Sequence, residues 1–293
     1  MAALAAVAAL AMQPRPADQQ AQPLRLVSLT RWTDGHKGFG GFSGLAMLPG
    51  GDGFLTVSDR GLLVTAGVTR DGGGHITGVT WQGGARFLDG YARPVYGFES
   101  DAEAIRLLPD GGVMVAFEGY ARVSVFHPPD MMPKALHDWD RFREIWGNQG
   151  MESLAVDAKG QATTILEVPG RDGCYRSLRQ VGPTVWKPGP RLASDGAFRA
   201  TDAVWGPDGD LHVLERRFSL FWGYTSRISR YHPQGGGFGI PEVEWQSATG
   251  DYGDFEGMDV MRNKAGKLVF TLISDNNFLP FETTTVAELE EAP

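Results

Sequence analysis

One pattern of apolar and polar positions recurs five times along the chain: an apolar run, a turn rich in Gly, Pro, Asp or Lys, and a second apolar run. Runs of this length, bounded by turn residues, are typical of β-hairpins. Near its start each copy has a polar residue, then a small one, then an aliphatic one. The polar residues are Ser43, Glu103, Glu152, Asp202 and Glu256, which lie 60, 49, 50 and 54 residues apart.

A period of this size fits a four-stranded antiparallel blade, so the repeat predicts an all-β, five-bladed β-propeller. Further strands are predicted at residues 62–68 and 76–81 of the first blade and at 227–231 and 242–245 of the fourth. The last blade has strands at 269–274 and 283–289 but lacks a fourth, which the strand-like segment 24–32 can supply by closing the ring. A six-bladed ring is the alternative. Residues 128–150 are expected to form a linker with a short helix around 135–145.

The first 23 residues differ in character from the rest. Residues 2–12 are apolar and rich in Ala, and residues 13–23 are polar and contain Pro. This order resembles a secretory signal without its basic start, followed by a spacer, and predicts a periplasmic or secreted protein. A tail on a cytoplasmic protein is the alternative. Residues 24–293 are then a single propeller domain, and no transmembrane helix is expected because no other stretch approaches 18 uninterrupted apolar residues.

Composition and charge narrow the function. The 293 residues include 40 Gly and 18 Pro, as many turns require. The net charge of −8 and the lack of a Lys/Arg run argue against nucleic acid as a partner. A single cysteine excludes an internal disulfide and any cluster held by several cysteines. Neither the His spacing of zinc hydrolases nor a Gly-x-Ser-x-Gly motif is present. A monomer is expected.

The polar residues of the repeat define a first ring. Innermost strands line the central channel of a propeller, so Ser43, Glu103, Glu152, Asp202 and Glu256 should lie at one depth. Converging carboxylates repel one another unless a cation neutralises them, and a donor set made only of oxygens selects a hard ion. The ring therefore predicts a central Ca²⁺ site. The alternative is that these acids cap loops or face a water-filled channel.

A second ring of acids follows on the next strand, at Asp59, Glu118, Glu167, Glu215 and Asp275. Basic and amide residues come directly after some of them, namely Arg60, Arg216 and Asn276. Two interpretations of the arginines stay open: each pairs with a ring acid and holds blades together, or it projects into the channel mouth and binds an anionic substrate.

The motifs FSGL with VSDRG, AEAI with AFEG, MESL with ILE, LERRF, and FEGMD with SDNNF resemble a phytase-like propeller family named for esterase-like activity of phytase. The resemblance covers about residues 25 to 290 and implies hydrolysis of phosphoesters or esters. The first ring is also similar to that of soluble calcium-activated nucleotidases. Those proteins have Ser at the fourth ring position, where the repeat alignment places Asp202 in this chain.

Three functions follow. The first is a calcium-dependent hydrolase of a small anionic or ester substrate, in which a second-ring acid deprotonates water and Arg60 or Arg216 stabilises the developing charge. The second is a metal-dependent lactonase. The third is a calcium-stabilised propeller that binds an envelope ligand without catalysis.

Overall fold

The computed structural model describes residues 22–137, 142–145, 150–279 and 282–292. Within these ranges the chain forms five four-stranded antiparallel sheets and two short two-stranded ribbons. Blade 1 contains β2 (Phe42–Met47), β3 (Gly53–Ser58), β4 (Leu62–Arg70) and β5 (Ile76–Arg86); blade 2 contains β6 (Ala102–Leu107), β7 (Val113–Phe117), β8 (Arg122–His127) and β9 (Asp130–Ala135); blade 3 contains β10 (Met151–Val156), β11 (Ala162–Leu166), β13 (Ser177–Gly182) and β14 (Val185–Pro188).

Blade 4 contains β16 (Arg199–Trp205), β17 (Leu211–Ser219), β18 (Gly223–Tyr231) and β21 (Glu242–Gln246); blade 5 contains β22 (Asp254–Arg262), β23 (Leu268–Asp275), β24 (Thr285–Glu291) and β1 (Leu24–Arg31). The ribbons pair β12 (Cys174–Tyr175) with β15 (Leu192–Ala193) and β19 (Pro233–Gln234) with β20 (Gly237–Phe238). Two short 3₁₀ helices, Gly97–Glu99 and Arg143–Ile145, complete the described elements. None of the described helices is long and apolar enough to cross a membrane.

The first and last strands of the chain close the ring. β1 pairs antiparallel with β24 from Leu24 opposite Glu291 to Arg31 opposite Thr285. Closure in this way satisfies the backbone groups that β24 would otherwise expose at a sheet edge. The prediction of a five-bladed propeller closed by an N-terminal strand is confirmed, and the six-bladed alternative is wrong. The signal-like segment falls in residues 1–21, outside the described part of the chain.

The predicted linker 128–150 is wrong in its first part. Asp130–Ala135 is the outermost strand of blade 2 and pairs with β8, for example at Ser124 opposite Ala135. The helix predicted around 135–145 falls largely on residues 138–141, outside the described ranges, and a 3₁₀ turn follows at Arg143–Ile145.

The innermost strands β2, β6, β10, β16 and β22 each contact the next, and β22 contacts β2, so they surround one channel. Small residues permit this approach. A Cβ on Gly257 would lie 2.8 Å from the carbonyl carbon of Gly44, and a Cβ on Gly44 would lie 2.9 Å from the Cα of Ala104. The hydrophobic core is correspondingly divided into five clusters, one between each pair of neighbouring blades.

Candidate functional site

A β-bulge at the same point of every innermost strand sets the first ring. In blade 1 Phe42 pairs with Ser58 and Gly44 pairs with Val57, so Ser43 between them is the bulged residue. Such a bulge re-aims a side chain relative to its neighbours. The bulged residues of the five blades are Ser43, Glu103, Glu152, Thr201 and Glu256.

In blade 4 the predicted ring member Asp202 therefore lies one residue past the ring position, which Thr201 occupies. Asp202 is fully buried and accepts hydrogen bonds from Arg106 Nη2 at 2.7 Å and from the backbone N–H of Met258 at 2.9 Å. Burial raises the pKa of Asp202 to about 7, against the opposing effect of Arg106. Since Arg106 belongs to blade 2, this ion pair crosses the channel. Both carboxylate oxygens of Asp202 already accept hydrogen bonds, Oδ1 from Arg106 and Oδ2 from Met258.

The second ring is shifted in the same blade. The second-ring position is the residue that follows the strand partner of the residue before the bulge. It is Asp59, Glu118, Glu167 or Asp275 in four blades, but Arg216 in blade 4. The predicted member Glu215 points the other way. It is fully buried, and Arg227 binds it through Nε at 2.8 Å and Nη2 at 2.9 Å, with further hydrogen bonds from Tyr175 at 2.8 Å and from Ser229. The structure thus brings four of the five predicted second-ring acids together and leaves Glu215 outside.

Two acids that the sequence analysis missed belong to the site. Asp101 and Asp254 each precede a first-ring Glu by two residues, and the backbone N–H of Glu118 donates to the carbonyl of Asp101 at 2.9 Å. Carboxylate oxygens of Asp101, Glu103 and Glu118 all lie within 4.8 Å of one another. The repeat of an acid at this offset, in DAE and DFE, was the available signal.

Nine carboxylates thus share one mouth of the channel: Asp59, Asp101, Glu103, Glu118, Glu152, Glu167, Asp254, Glu256 and Asp275. Burial and then the charge of Glu152 raise the pKa of Glu103 well above its ordinary value. Burial, followed by neighbouring acids, likewise raises the pKa of Glu152 and of Glu256. At the rim, burial and Asp101 raise the pKa of Asp59 to about 6. The cluster is strongly self-repelling when ionised.

Arg216 is the cation that this cluster surrounds. Its guanidinium binds Asp254 at 2.8 Å, Glu256 at a shorter distance and Glu167 at 3.6 Å, with a fifth of the side chain exposed. These acids raise the pKa of Arg216 despite its burial. Arg199 also pairs with Glu167, at 3.3 Å, and together the two arginines balance only a part of the cluster. Because Arg216 is already paired with acids, it serves as their counter-ion.

The remaining predicted residues lie at the rim. The guanidinium of Arg60 stacks on the ring of Phe278 at 3.1 Å from its centroid, and Arg60 is exposed. The Oδ1 atom of Asn276 accepts hydrogen bonds from the backbone N–H groups of Gly41 and Phe278, both at 3.1 Å. Asn276 thereby holds two loops together. Asn277 and Phe278 both adopt positive φ values, 47° and 50°, a strained conformation for side-chain-bearing residues.

The donor set fits a hard divalent cation. The ring offers carboxylates with two hydroxyls, from Ser43 and Thr201, and neither His nor Cys is in it. Within the described residues, Oδ1 of Asp254 is buried and has no hydrogen-bond partner, which is costly unless something else satisfies it. An oxygen-rich, self-repelling cluster with such an orphaned atom is an environment that a hard divalent cation would stabilise.

Comparison with known proteins assigns the chain to a class. A family model described as phytase-like, esterase-like activity of phytase, matches residues 37–278. The chain belongs to this phytase-like family of β-propellers. No curated protein matches it by sequence.

Solved structures with a similar fold include the PQQ-bound aldose sugar dehydrogenase of Streptomyces coelicolor, with 13% identity over 92% of this chain and 99% of that one and a TM-score of 0.44. A protein of unknown function from Dyadobacter fermentans has 12% identity over 92% of this chain and 100% of that one, with a TM-score of 0.47.

Proposed function

We propose that this protein is an exported, calcium-dependent hydrolase of phosphoesters or related esters, acting at the acidic mouth of the propeller channel. The observation that carries the proposal is the convergence of nine carboxylates at that mouth, where Arg216 and Arg199 are the arginines paired with them. The family description, esterase-like activity of phytase, supports ester hydrolysis as the reaction.

In this proposal Glu103, Glu152 and Glu256 hold the calcium with the hydroxyls of Ser43 and Thr201, and Asp101 and Glu118 lie next to them. When bound, the ion supplies Lewis-acid polarisation of an ester or phosphoryl oxygen. Arg216 positions Glu256 and Asp254 through its ion pairs, so it is a positioning residue.

Asp59 and Asp275 are the proposed proton acceptors. Both lie at the rim. Burial, opposed in part by the hydrogen bond from the backbone N–H of Asn277, raises the pKa of Asp275 to about 7, near the range that general-base catalysis at neutral pH requires. One of these carboxylates accepts a proton from the attacking water while the oxygen of that water bonds to phosphorus or carbon. The ester oxygen then leaves with a proton returned from the same carboxyl. Glu167 faces the same mouth through its contact with Arg216.

Arg60 is the proposed contact for a negative charge that develops on the substrate. It is exposed and its guanidinium stacks on the ring of Phe278, which leaves the edge of the guanidinium open to a ligand at the rim. It follows Asp59 directly, which places the base and the cation side by side.

The net charge at the mouth favours a second substrate class. Nine acids repel a free anion, whereas an uncharged lactone meets no such barrier. A metal-dependent lactonase is therefore the second candidate.

The test is turnover of p-nitrophenyl phosphate, p-nitrophenyl acetate and an aldonolactone, with calcium and with excess chelator. We expect calcium-dependent turnover of at least one ester, and Asp275→Asn to lower kcat/KM by about 10²-fold or more. The matched control is Glu242→Gln, an acid on the outer strand of blade 4 whose side chain is 69% exposed. Lactone turnover alone would favour the second candidate, and no turnover of any substrate would leave a non-catalytic binding propeller. Export is tested separately by fractionation of the producing cell.

A further inference from the structure

A cleft of about 430 Å³ opens beside the acidic mouth, between blades 4 and 5. Aromatic side chains form much of its wall: Phe218, Trp222, Tyr224 and Tyr252. Its volume falls in the range of roughly 300 to 1,000 Å³ that is usual for small-molecule sites. Asp275, which the proposed function places among the reacting groups, is also part of the wall, so the cleft is continuous with the site.

The aromatic wall is built on ordered contacts. The rings of Phe218 and Tyr224 lie 5.0 Å apart across the β17–β18 hairpin. Tyr252 packs on Trp245 at 5.9 Å and on Phe255 at 6.0 Å, which ties the other side of the cleft to the core. Trp222, at the hairpin end, is 44% exposed. Aromatic side chains that line a cleft and stay partly exposed, as Phe218 and Trp222 do, are typical of small-molecule binding sites.

Every charged side chain that the structure places in the wall is acidic: Asp251, Asp275 and Glu282. One basic side chain touches the wall, since Nη2 of Arg31 donates to Oγ1 of the wall residue Thr283 at 2.6 Å, and Arg216 is paired with Asp254 and Glu256. The three acids of the wall outnumber Arg31. The cleft therefore offers π-faces and negative charge together. This combination attracts an organic cation, above all a quaternary ammonium, and repels a phosphate.

We propose that this cleft binds a quaternary or methylated ammonium group, so that the substrate is an ester of an ammonium alcohol whose ester group reaches Asp275 and the channel mouth. The proposal rests on the proposed function for the reaction and on the cleft alone for the cation. It also explains how a phosphoester can approach nine acids, since its positive end neutralises the charge of its phosphate.

The test separates binding from turnover. Choline and its uncharged isostere 3,3-dimethyl-1-butanol are titrated by calorimetry into the full-length protein at saturating calcium, which keeps the channel ring filled. We expect choline to bind at least about 10-fold more tightly than the isostere. Equal affinities, or no binding of choline, would overturn the proposal.

Two variants on the same hairpin provide a matched pair. Trp222→Ala removes a wall residue and should weaken choline binding about 10-fold. Phe221→Ala is the control, because Phe221 is 79% exposed and lies outside the wall. Glu282→Gln should weaken the binding of choline and leave the affinity for the isostere unchanged. If Phe221→Ala lowers the affinity as much as Trp222→Ala does, the cleft is not the binding site.

Turnover then distinguishes the two proposals. p-Nitrophenyl phosphorylcholine is compared with p-nitrophenyl phosphate, and the Trp222→Ala variant should lose the preference for the choline ester. Choline binding without turnover of either compound or of p-nitrophenyl acetate would overturn the proposed function and support the cleft. Turnover of p-nitrophenyl phosphate by a protein that does not bind choline would do the reverse.

Discussion

At the scale of single residues, the charge balance of the mouth depends on Arg216. Substituting it by Gln leaves Asp254, Glu256 and Glu167 without their shared counter-ion. In chelator we expect the free energy of unfolding to fall by about 2–3 kcal/mol, because removing one partner from a mostly buried ion pair leaves the other charges uncompensated. Calcium should then stabilise the variant more than it stabilises the natural protein.

The neighbouring residue is the control. Arg217 is exposed and stacks on Phe198 at 5.0 Å, so Arg217→Gln should change the unfolding free energy by about 0.5 kcal/mol at most. Denaturant unfolding of both variants, with and without calcium, checks the prediction. Equal losses for Arg216→Gln and Arg217→Gln would show that the charge cluster does not depend on Arg216.

His212 makes the stability of blade 4 depend on pH. Its ring is fully buried, with Nδ1 2.7 Å from Glu244 and Nε2 3.2 Å from Asp208. Burial lowers the pKa of His212, but hydrogen bonds to Asp208 and Glu244 outweigh it and raise the pKa to about 9. Because the folded-state pKa exceeds the ordinary value of 6.5, the stabilisation is complete below about pH 6.5 and is lost as the pH rises through 9.

Between pH 6.5 and 9 the free energy of unfolding is expected to fall by about 3 kcal/mol, because each unit of pKa shift corresponds to about 1.36 kcal/mol. His212→Gln should flatten the dependence of unfolding free energy on pH between 6.5 and 9. The control is His232→Gln, since the side chain of His232 is 79% exposed. A slope that survives in His212→Gln would mean that another group titrates.

At the scale of elements, closure of the ring rests on β1. Leu24 on this strand is 3% exposed and packs in the cluster between blades 4 and 5, whereas Leu29 on the same strand is 47% exposed. Leu24→Ala should lower the unfolding free energy by about 2–5 kcal/mol, as for other buried leucines, and Leu29→Ala by about 0.5 kcal/mol at most. Urea unfolding compares them, and equal effects would contradict a structural role for β1.

Most blade elements could be predicted from the sequence, because each hairpin has a local pattern of apolar runs and turn residues. β9 could not. Its sequence DMMPKA contains Pro133 and carries little alternation, but Pro is tolerated on the outermost strand of a sheet, where one edge needs no partner. The pairing partner β8, rather than the local sequence, makes this segment a strand.

The candidate site was predictable only to within one residue in blade 4. The ring position there is Thr201 and not Asp202, and the second-ring position is Arg216 and not Glu215, because the bulge falls one residue earlier than the acids suggest. The spacing held the signal: Asp202 to Glu215 is 13 residues, whereas Glu103 to Glu118 and Thr201 to Arg216 are both 15. Side-chain direction depends on register, and composition does not reveal register.

At the scale of the whole molecule, the net charge of −8 is unevenly distributed. Nine acids gather at one mouth, and the excess of acids over basic residues in the sequence is eight. Holding these carboxylates together costs folding free energy at neutral pH, because burial and repulsion both oppose their ionisation. A protein with this arrangement is expected to be markedly more stable with a divalent cation bound than without one.

Thermal unfolding after exhaustive chelation, followed by titration with calcium, tests this central claim most directly. At a free calcium concentration 100-fold above Kd, binding at one site should raise the free energy of unfolding by about 2.7 kcal/mol. Glu103→Gln should abolish most of the gain, and Glu242→Gln, on the outer strand of blade 4, should retain it. A melting temperature that is the same in chelator and in calcium, for the natural protein, would contradict the account.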